Sequence, residues 1–372
     1  MFRGTPCLHY CLAMVRFTIE ELPIPTEPGA SGWADFAASL DLQNAVEAEG
    51  YGTDELAFTP KELLPGYHHQ QYDPRRLFVA RVGDAIVAGA RTDAQAEGGD
   101  DCVWLSFSVH RDWRRRGIGT ALAAHVEGIA AAEGRSTQYL YTVSPDAPGP
   151  RLAAPTGFGS VPRENPEVRF LLGRGYHLEQ IERGSRLALP LDPTALAEQL
   201  GTVSSDAGPG YVVQVWEGAT PERWRTDIAV LYTRMSTDAP SAGLNEPEDV
   251  WSVDRLVSYE QKHEASPRTL LTAAVEHRSS ERLVGFTELS VPPELHRSVS
   301  QESTLVLSEH RGHGLGMLVK LANLRQLADR HPGHPAVTTF NAEENRHMLR
   351  VNEQLGFVPM GYEGAWKRVA RV

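Results

Sequence analysis

The stretch Ser108-Val109-His110-Arg111-Asp112-Trp113-Arg114-Arg115-Arg116-Gly117-Ile118-Gly119 returns in outline as Leu305-Val306-Leu307-Ser308-Glu309-His310-Arg311-Gly312-His313-Gly314-Leu315-Gly316. Four identities, Val109/Val306, Arg114/Arg311, Gly117/Gly314 and Gly119/Gly316, share one offset of 197 residues, which is hard to assign to chance. The flanks repeat too. Residues 77–81 and 85–89 read as strands joined by a tight turn, and residues 269–275 and 283–291 do the same later. Each pair leads into a third strand (103–109; 303–307), a glycine turn and a helix (117–133; 314–329). The helices carry Leu122, Val126 and Ile129, and Leu318, Leu321 and Leu324, at helical spacing. A further strand (139–143; 336–340) and a short helix before Gly175-Tyr176 or Gly356-Phe357 close each copy. The first copy is longer by residues 144–166, a stretch rich in Pro and Gly that reads as a loop.

A chain of 372 residues suits two domains of about 180 residues better than one core. The repeat places them at residues 15–200 and 211–372, joined by a Gly/Ser/Pro-rich linker at 201–210. Strands alternating with helices give an α/β class with a mixed sheet in each copy. Residues 1–14, with Arg3, Pro6 and His9 breaking any apolar run, read as an upstream start or a disordered extension.

The formal net charge of −12, without a basic face, argues against a nucleic-acid binder. Such acidity favours cationic substrates and also plain solubility. No apolar run approaches the roughly 20 residues that span a bilayer. Cys7, Cys11 and Cys102 make no disulfide framework, which fits a reducing cytoplasm. A monomer or homodimer is expected.

A strand entering a two-glycine turn that opens a helix has a definite use. Glycine lets the backbone approach a ligand, and the first helical N–H groups, aided by the helix dipole, make a site for a pyrophosphate. Arginine in the turn adds charge-assisted hydrogen bonds. A lone turn of this kind is more often only a turn; duplication shifts the balance to a ligand. A Rossmann fingerprint lacks its third glycine here, and a P-loop lacks Gly-Lys-Ser/Thr.

Arg114-x-x-Gly117-x-Gly119 and Arg311-x-x-Gly314-x-Gly316 resemble the acyl-CoA signature of the GNAT superfamily of N-acetyltransferases, in a tandem arrangement over most of both halves. Val109 and Val306, and Asn345 eleven residues before Gly356-Phe357, match further family positions. The resemblance implies acetyl-CoA as cofactor and acetyl transfer to a small-molecule amine. It implies backbone contacts to the pantetheine arm from Leu305, Val306 and Leu307, and from Ser108, Val109 and His110. Pyrophosphate would lie on His313, Gly314, Leu315, Gly316, Met317 and Leu318, and on Arg116, Gly117, Ile118, Gly119, Thr120 and Ala121.

The pattern also departs from the family. The tyrosine expected seven residues after the Asn, a general acid, is replaced by Asn352 in the second copy and falls near Leu171 in the first. Glu302 and Glu288 are the candidate general bases, with Glu309 and His310 nearby; an ordinary surface carboxylate is the competing reading of each. Asn345 reads equally as a helix cap, with Asn341 beside it and Asn165-Pro166 as its weaker first-copy counterpart. His68-His69 and His331-x-x-His334 lack partners at metal-ligand spacing, so no metal is expected. The loop around residues 235–240 is placed to touch acceptor or simply to connect helices. The second copy has the fuller motif set and is the expected catalytic one. A tandem that binds CoA without catalysis, as sensor or scaffold, is the alternative.

Overall fold

The computed structural model describes residues 15–370, save 98, 100 and 239; the expected N-terminal extension lies outside the described residues. The first half runs β1 (Thr18–Glu21), α1 (Trp33–Tyr51), α2 (Pro60–His68), β2 (Arg75–Val82), β3 (Ala85–Asp93), β4 (Cys102–Val109), α3 (Ile118–Ala132) and β5 (Thr137–Val143). A two-stranded hairpin follows, β6 (Arg151–Ala153) with β7 (Ser160–Pro162), and then α4 (Pro166–Gly173) and β8 (His177–Ala188). That hairpin occupies the expected loop, and Val161 buries itself against Leu140 and Val168.

After α5 (Pro193–Ala207) the pattern restarts with β9 (Tyr211–Glu217), α6 (Arg225–Asp238), α7 (Val253–Glu264), β10 (Thr269–His277), β11 (Arg282–Val291) and β12 (Val299–Val306). It closes with α8 (Leu315–Arg330), β13 (Ala336–Ala342), α9 (Arg346–Leu355) and β14 (Val358–Val369).

The halves do not meet as two separate sheets. One 12-stranded sheet runs β1-β2-β3-β4-β5-β14-β8-β13-β12-β11-β10-β9. Each half's last strand crosses over: β14 pairs with β5 of the first half, β8 with β13 of the second, and the two pair antiparallel in the middle. Trp366 of β14, wholly buried, therefore packs in the first half's core with Leu140, Leu171 and Tyr176.

The linker expected at 201–210 is corrected. Most of it is the end of α5, capped by the Asp192 carboxylate accepting from Thr194 and Ala195 N–H. Leu196, Leu200, Val203 and Ala207 recur at helical spacing and pack on the second half's cores. Gly and Ser gave this segment a linker's composition, but four apolar side chains on one face outweigh it.

Side-chain alternation along the strands sorts the helices. Phe78 and Ala80 meet α3 (Ile118, Leu122), whereas Leu77 and Val79 meet α1 and α2 (Phe36, Leu64). Val275 and Val284 meet α8, whereas Ala274 and Phe286 meet α6. In the middle, Leu187 of β8 joins the α8–α9 core, while Gly184, of opposite parity, lies under Tyr51 of α1. So α1, α2, α6 and α7 share one face of the sheet, and α3, α4, α8 and α9 the other.

Candidate active site

Both halves open at the same place. β4 pairs with β5 only over Cys102, Val103 and Trp104, and β12 pairs with β13 only at Val299 and Ser300. Beyond those pairs the parallel strands diverge, so residues 105–109 and 301–306 have no partner strand on that side. Each gap is a slot through which an extended ligand can cross the sheet.

At the end of each slot lies the glycine turn. It needs left-handed backbone twice: at Arg115 (φ 63°) and Gly117 (φ 82°), and at Gly312 (φ 88°) and Gly314 (φ 69°). Gly119 serves close approach, since a Cβ there would stand 3.2 Å from Val109 Cγ2. No side chain caps α3 or α8, so the N–H groups of each first helical turn are left for a ligand. Uncapped amides beside a glycine turn fit the pyrophosphate of a CoA-type cofactor.

Leu305, Leu315, Leu318 and Ile118 are buried in the cores, so only their backbones can face such a cofactor. Val306, Leu307, Val109 and Met317 are partly buried against the same cores. Gly316, Ala121 and Ser108 are half-buried, and Thr120 is exposed. His110 uses Nδ1 to accept from Asp112 N–H at 3.3 Å.

The two motif arginines are committed to protein. Arg114 donates from Nε to Val109 O at 2.9 Å and from Nη2 to Glu49 at 2.6 Å. Arg311 does the same, to Val306 O at 3.1 Å and Asp238 at 2.6 Å. Both tie the turn to the end of its strand and to the first helix of its half. Here they brace the cradle and do not extend free guanidinium groups toward it. Arg116 stays exposed over the Trp113 ring at 4.8 Å, whereas His313 packs on Tyr211 at 5.2 Å beside His277 and His310.

Asn345 is a cap, Oδ1 accepting from Met348 N–H at 3.2 Å. Asn352 is buried and donates to Asn341 Oδ1 at 2.7 Å, and Leu171 is core. Neither half has a hydroxyl at the position where the resemblance leads one to expect a tyrosine. His334 is buried on Arg297 O, and no metal-binding group of His, Cys, Asp and Glu occurs among the described residues.

The slots differ in chemistry. On the second, β11 and β12 shift register, with Thr287 facing Thr304 and Leu289 facing Gln301; Glu302 and Ser303 thus stand opposite the single residue Glu288. This bulge re-aims a side chain. Glu302 is an exposed residue with protein close around its carboxylate; that desolvation raises its carboxyl pKa, with Arg268 pulling it back. Glu288 is buried, not the surface carboxylate of the competing reading, and accepts from Tyr232 OH. Burial pushes it up to about 8; the Tyr232 bond opposes this, and Glu302 and Glu260 add to it. Tyr232 stacks on Trp251 at 4.2 Å and meets Tyr259 edge-on.

On the first slot the register is unbroken: Arg91 faces Ser106. Counted from Val109 and Val306, Arg91 holds the place of Glu288, and buried Leu105 that of Glu302. The first slot thus has a cofactor turn without either carboxylate. Spacing in the sequence gave no signal for Tyr232, Tyr259, Trp251 or Arg268; they meet Glu288 and Glu302 only through packing of α6, α7 and the start of β10.

Residues 47–158 match the Acetyltransferase (GNAT) family. The chain is 26% identical over 365 residues, 91% of its length and 96% of the relative's, to a mycothiol acetyltransferase of Parafrankia sp. (strain EAN1pec). Among solved structures it is similar to a tandem GNAT protein from the clavulanic acid biosynthesis pathway (TM-score 0.70, 21% identity, 96% of this chain and 100% of that one). It is also similar to a GCN5-related N-acetyltransferase from Sphaerobacter thermophilus (TM-score 0.60, 14% identity, 95% and 96%). No helix among the described residues is long and apolar enough to cross a membrane.

Proposed function

We propose that the chain is an acyltransferase of the GNAT family in its tandem form, and that its second half moves acetyl from acetyl-CoA to the amine of a small molecule. The bulge that sets Glu302 beside Glu288 at one slot, where the other has Leu105 and Arg91 in those places, carries this reading. The cofactor supplies an activated thioester; the chain must hold it, aim an amine and take a proton. Uncapped amides of α8 and the Gly314 turn hold the pyrophosphate end, braced by Arg311. The β12 edge at Leu305 and Val306, open on its β13 side, positions the pantetheine arm, and an N–H on that edge stabilises charge developing on the acyl oxygen.

Glu302 takes the proton that the acceptor nitrogen must lose as it attacks the thioester. Glu288, behind it, is a positioning residue held by Tyr232. With no tyrosine at the Asn352 position, the departing thiolate takes its proton from water. The first half, with a turn but no counterpart of Glu288 or Glu302, holds cofactor without turnover. This part of the reading keeps one element of the sensor alternative.

Thiol release from acetyl-CoA, measured with an amine panel, tests the proposal. Release with wild type that survives a disrupted Gly117 turn and disappears with a disrupted Gly314 turn supports it. Measurable CoA binding without thiol release for any amine sinks it in favour of the sensor reading.

A further inference from the structure

Between the two slots, on the face shared by α1 and α6, lie β8 and β14. Their residues Glu182 and Glu363 stand directly opposite each other, an arrangement that like charges disfavour. Two more carboxylates approach from above, Glu47 of α1 and Glu246 of the loop after α6; both interact with this pair. Tyr51 OH donates to Glu363 at 2.5 Å and Tyr141 OH to Glu246 at 3.1 Å. Glu182 is half-buried and has no hydrogen bond or ion pair among the described residues.

The neighbouring cations are otherwise engaged. Arg183 lies on the opposite face with Glu343 and Glu353, and Arg186 is bound to Glu55 at 2.9 Å. Burial, then Glu363, pushes Glu47 up to about 7, opposed by Arg91, which is itself bound to Asp93. Burial, then Glu363, Glu246 and Glu344, pushes Glu182 up to about 8. A fold gains nothing from enclosing carboxylates without partners; a cation arriving from outside would supply the missing charge.

Position indicates what that cation is attached to. β13 borders the catalytic slot, β8 is its neighbour and β14 the next strand. Glu182 and Glu363 are therefore about 5 and 10 Å across the sheet from the slot edge. Phe340 of β13, exposed on the same face and 5.9 Å from the Tyr51 ring, provides an apolar wall on the way.

We propose that the carboxylate floor of Glu182 and Glu363 binds the far ammonium of an elongated acceptor, so that the acceptor class is a linear diamine or polyamine. This rests on acetyl transfer at the second slot. The near amine faces Glu302, the spacer passes Phe340, and the far ammonium ends between the paired carboxylates.

The test compares kcat/KM for 1-aminooctane and 1,8-diaminooctane in wild type and in the double variant Glu182→Gln/Glu363→Gln, with melting temperature as a folding control. The expected result is at least a ten-fold preference for the diamine in wild type, carried by KM and removed in the double variant. Equal use of both amines by wild type, or a preference that survives the double variant, overturns the inference and leaves the transferase standing. If no amine is turned over, the transferase reading fails, and calorimetric titration with spermidine decides the floor by itself. Binding that is lost in the folded double variant supports the cation site; absence of binding to wild type refutes it.

Discussion

Replacing Glu302 by Gln removes the proton acceptor and keeps the side chain's size and most of its packing. A positioned general base typically contributes about 10²- to 10⁴-fold, so kcat/KM is expected to fall by about that much at neutral pH. Glu302 has its carboxyl pKa raised, first by burial, with Arg268 opposing. A raised carboxyl ionises at higher pH than a free one, so the wild-type rate climbs with pH through that displaced pKa. An acceptor whose amine is already neutral at pH 6 isolates this limb from titration of the substrate. The limb disappears in Glu302→Gln. In Arg268→Gln it moves further to alkaline pH, because the charge opposing desolvation is gone. The assay is thiol release from pH 5 to 9, with CoA affinity measured separately to confirm an intact cofactor site. An unaltered profile in Glu302→Gln, or a loss smaller than about three-fold, refutes the assignment; so does an acid shift in Arg268→Gln.

The two turns can be separated by Gly314→Val and Gly117→Val, each forcing a β-branched residue into left-handed backbone; the first is expected to abolish thiol release, the second to remove one equivalent of bound CoA with far less effect on turnover, both read by calorimetry and kinetics. Glu62, wholly buried, joins α2 to the second half through Arg297 (2.6 and 2.7 Å) and Arg268 (3.4 Å). Glu62→Ala leaves buried Arg268 without its carboxylate and Arg297 with Glu294 alone, and urea unfolding should show a loss of about 3–5 kcal/mol. Burial alone would raise the Glu62 carboxyl, but Arg297, the Thr59 N–H and Arg268 together hold it below its usual value. Its stabilisation is therefore present above an unfolded pKa of about 4.3 and lost as pH falls through the lower folded value, a loss that Glu62→Gln should not show. Trp366→Ala, by the large-to-small rule, costs about 3–5 kcal/mol, and hydrogen exchange should report the loosening in β5 of the other half.

The repeat, its strands and helices, and the two glycine turns were legible because they are local. A turn needing left-handed backbone at residues 117 and 314 selects glycine within a few positions, and helical spacing marks the face of α3 or α8 without reference to anything distant. The Asn345 cap was legible for the same reason. Residues 201–207 have a linker's composition and are helix in the structure, because composition does not say whether Leu196, Val203 and Ala207 have a surface to cover.

What the sequence by itself determined is the pair of cradles, and with them the class of ligand they suit. Only the tertiary structure decided the rest. It exchanged β8 and β14 to make one sheet, engaged Arg114 and Arg311 as braces, and put a bulge opposite Glu288 in one half and none opposite Arg91 in the other. It also set Glu182 against Glu363 between the slots. The physical reason is range: backbone conformation is fixed by neighbours in the chain, whereas the desolvation and charge that make a carboxylate a base come from residues far away in sequence and within a few ångströms in space.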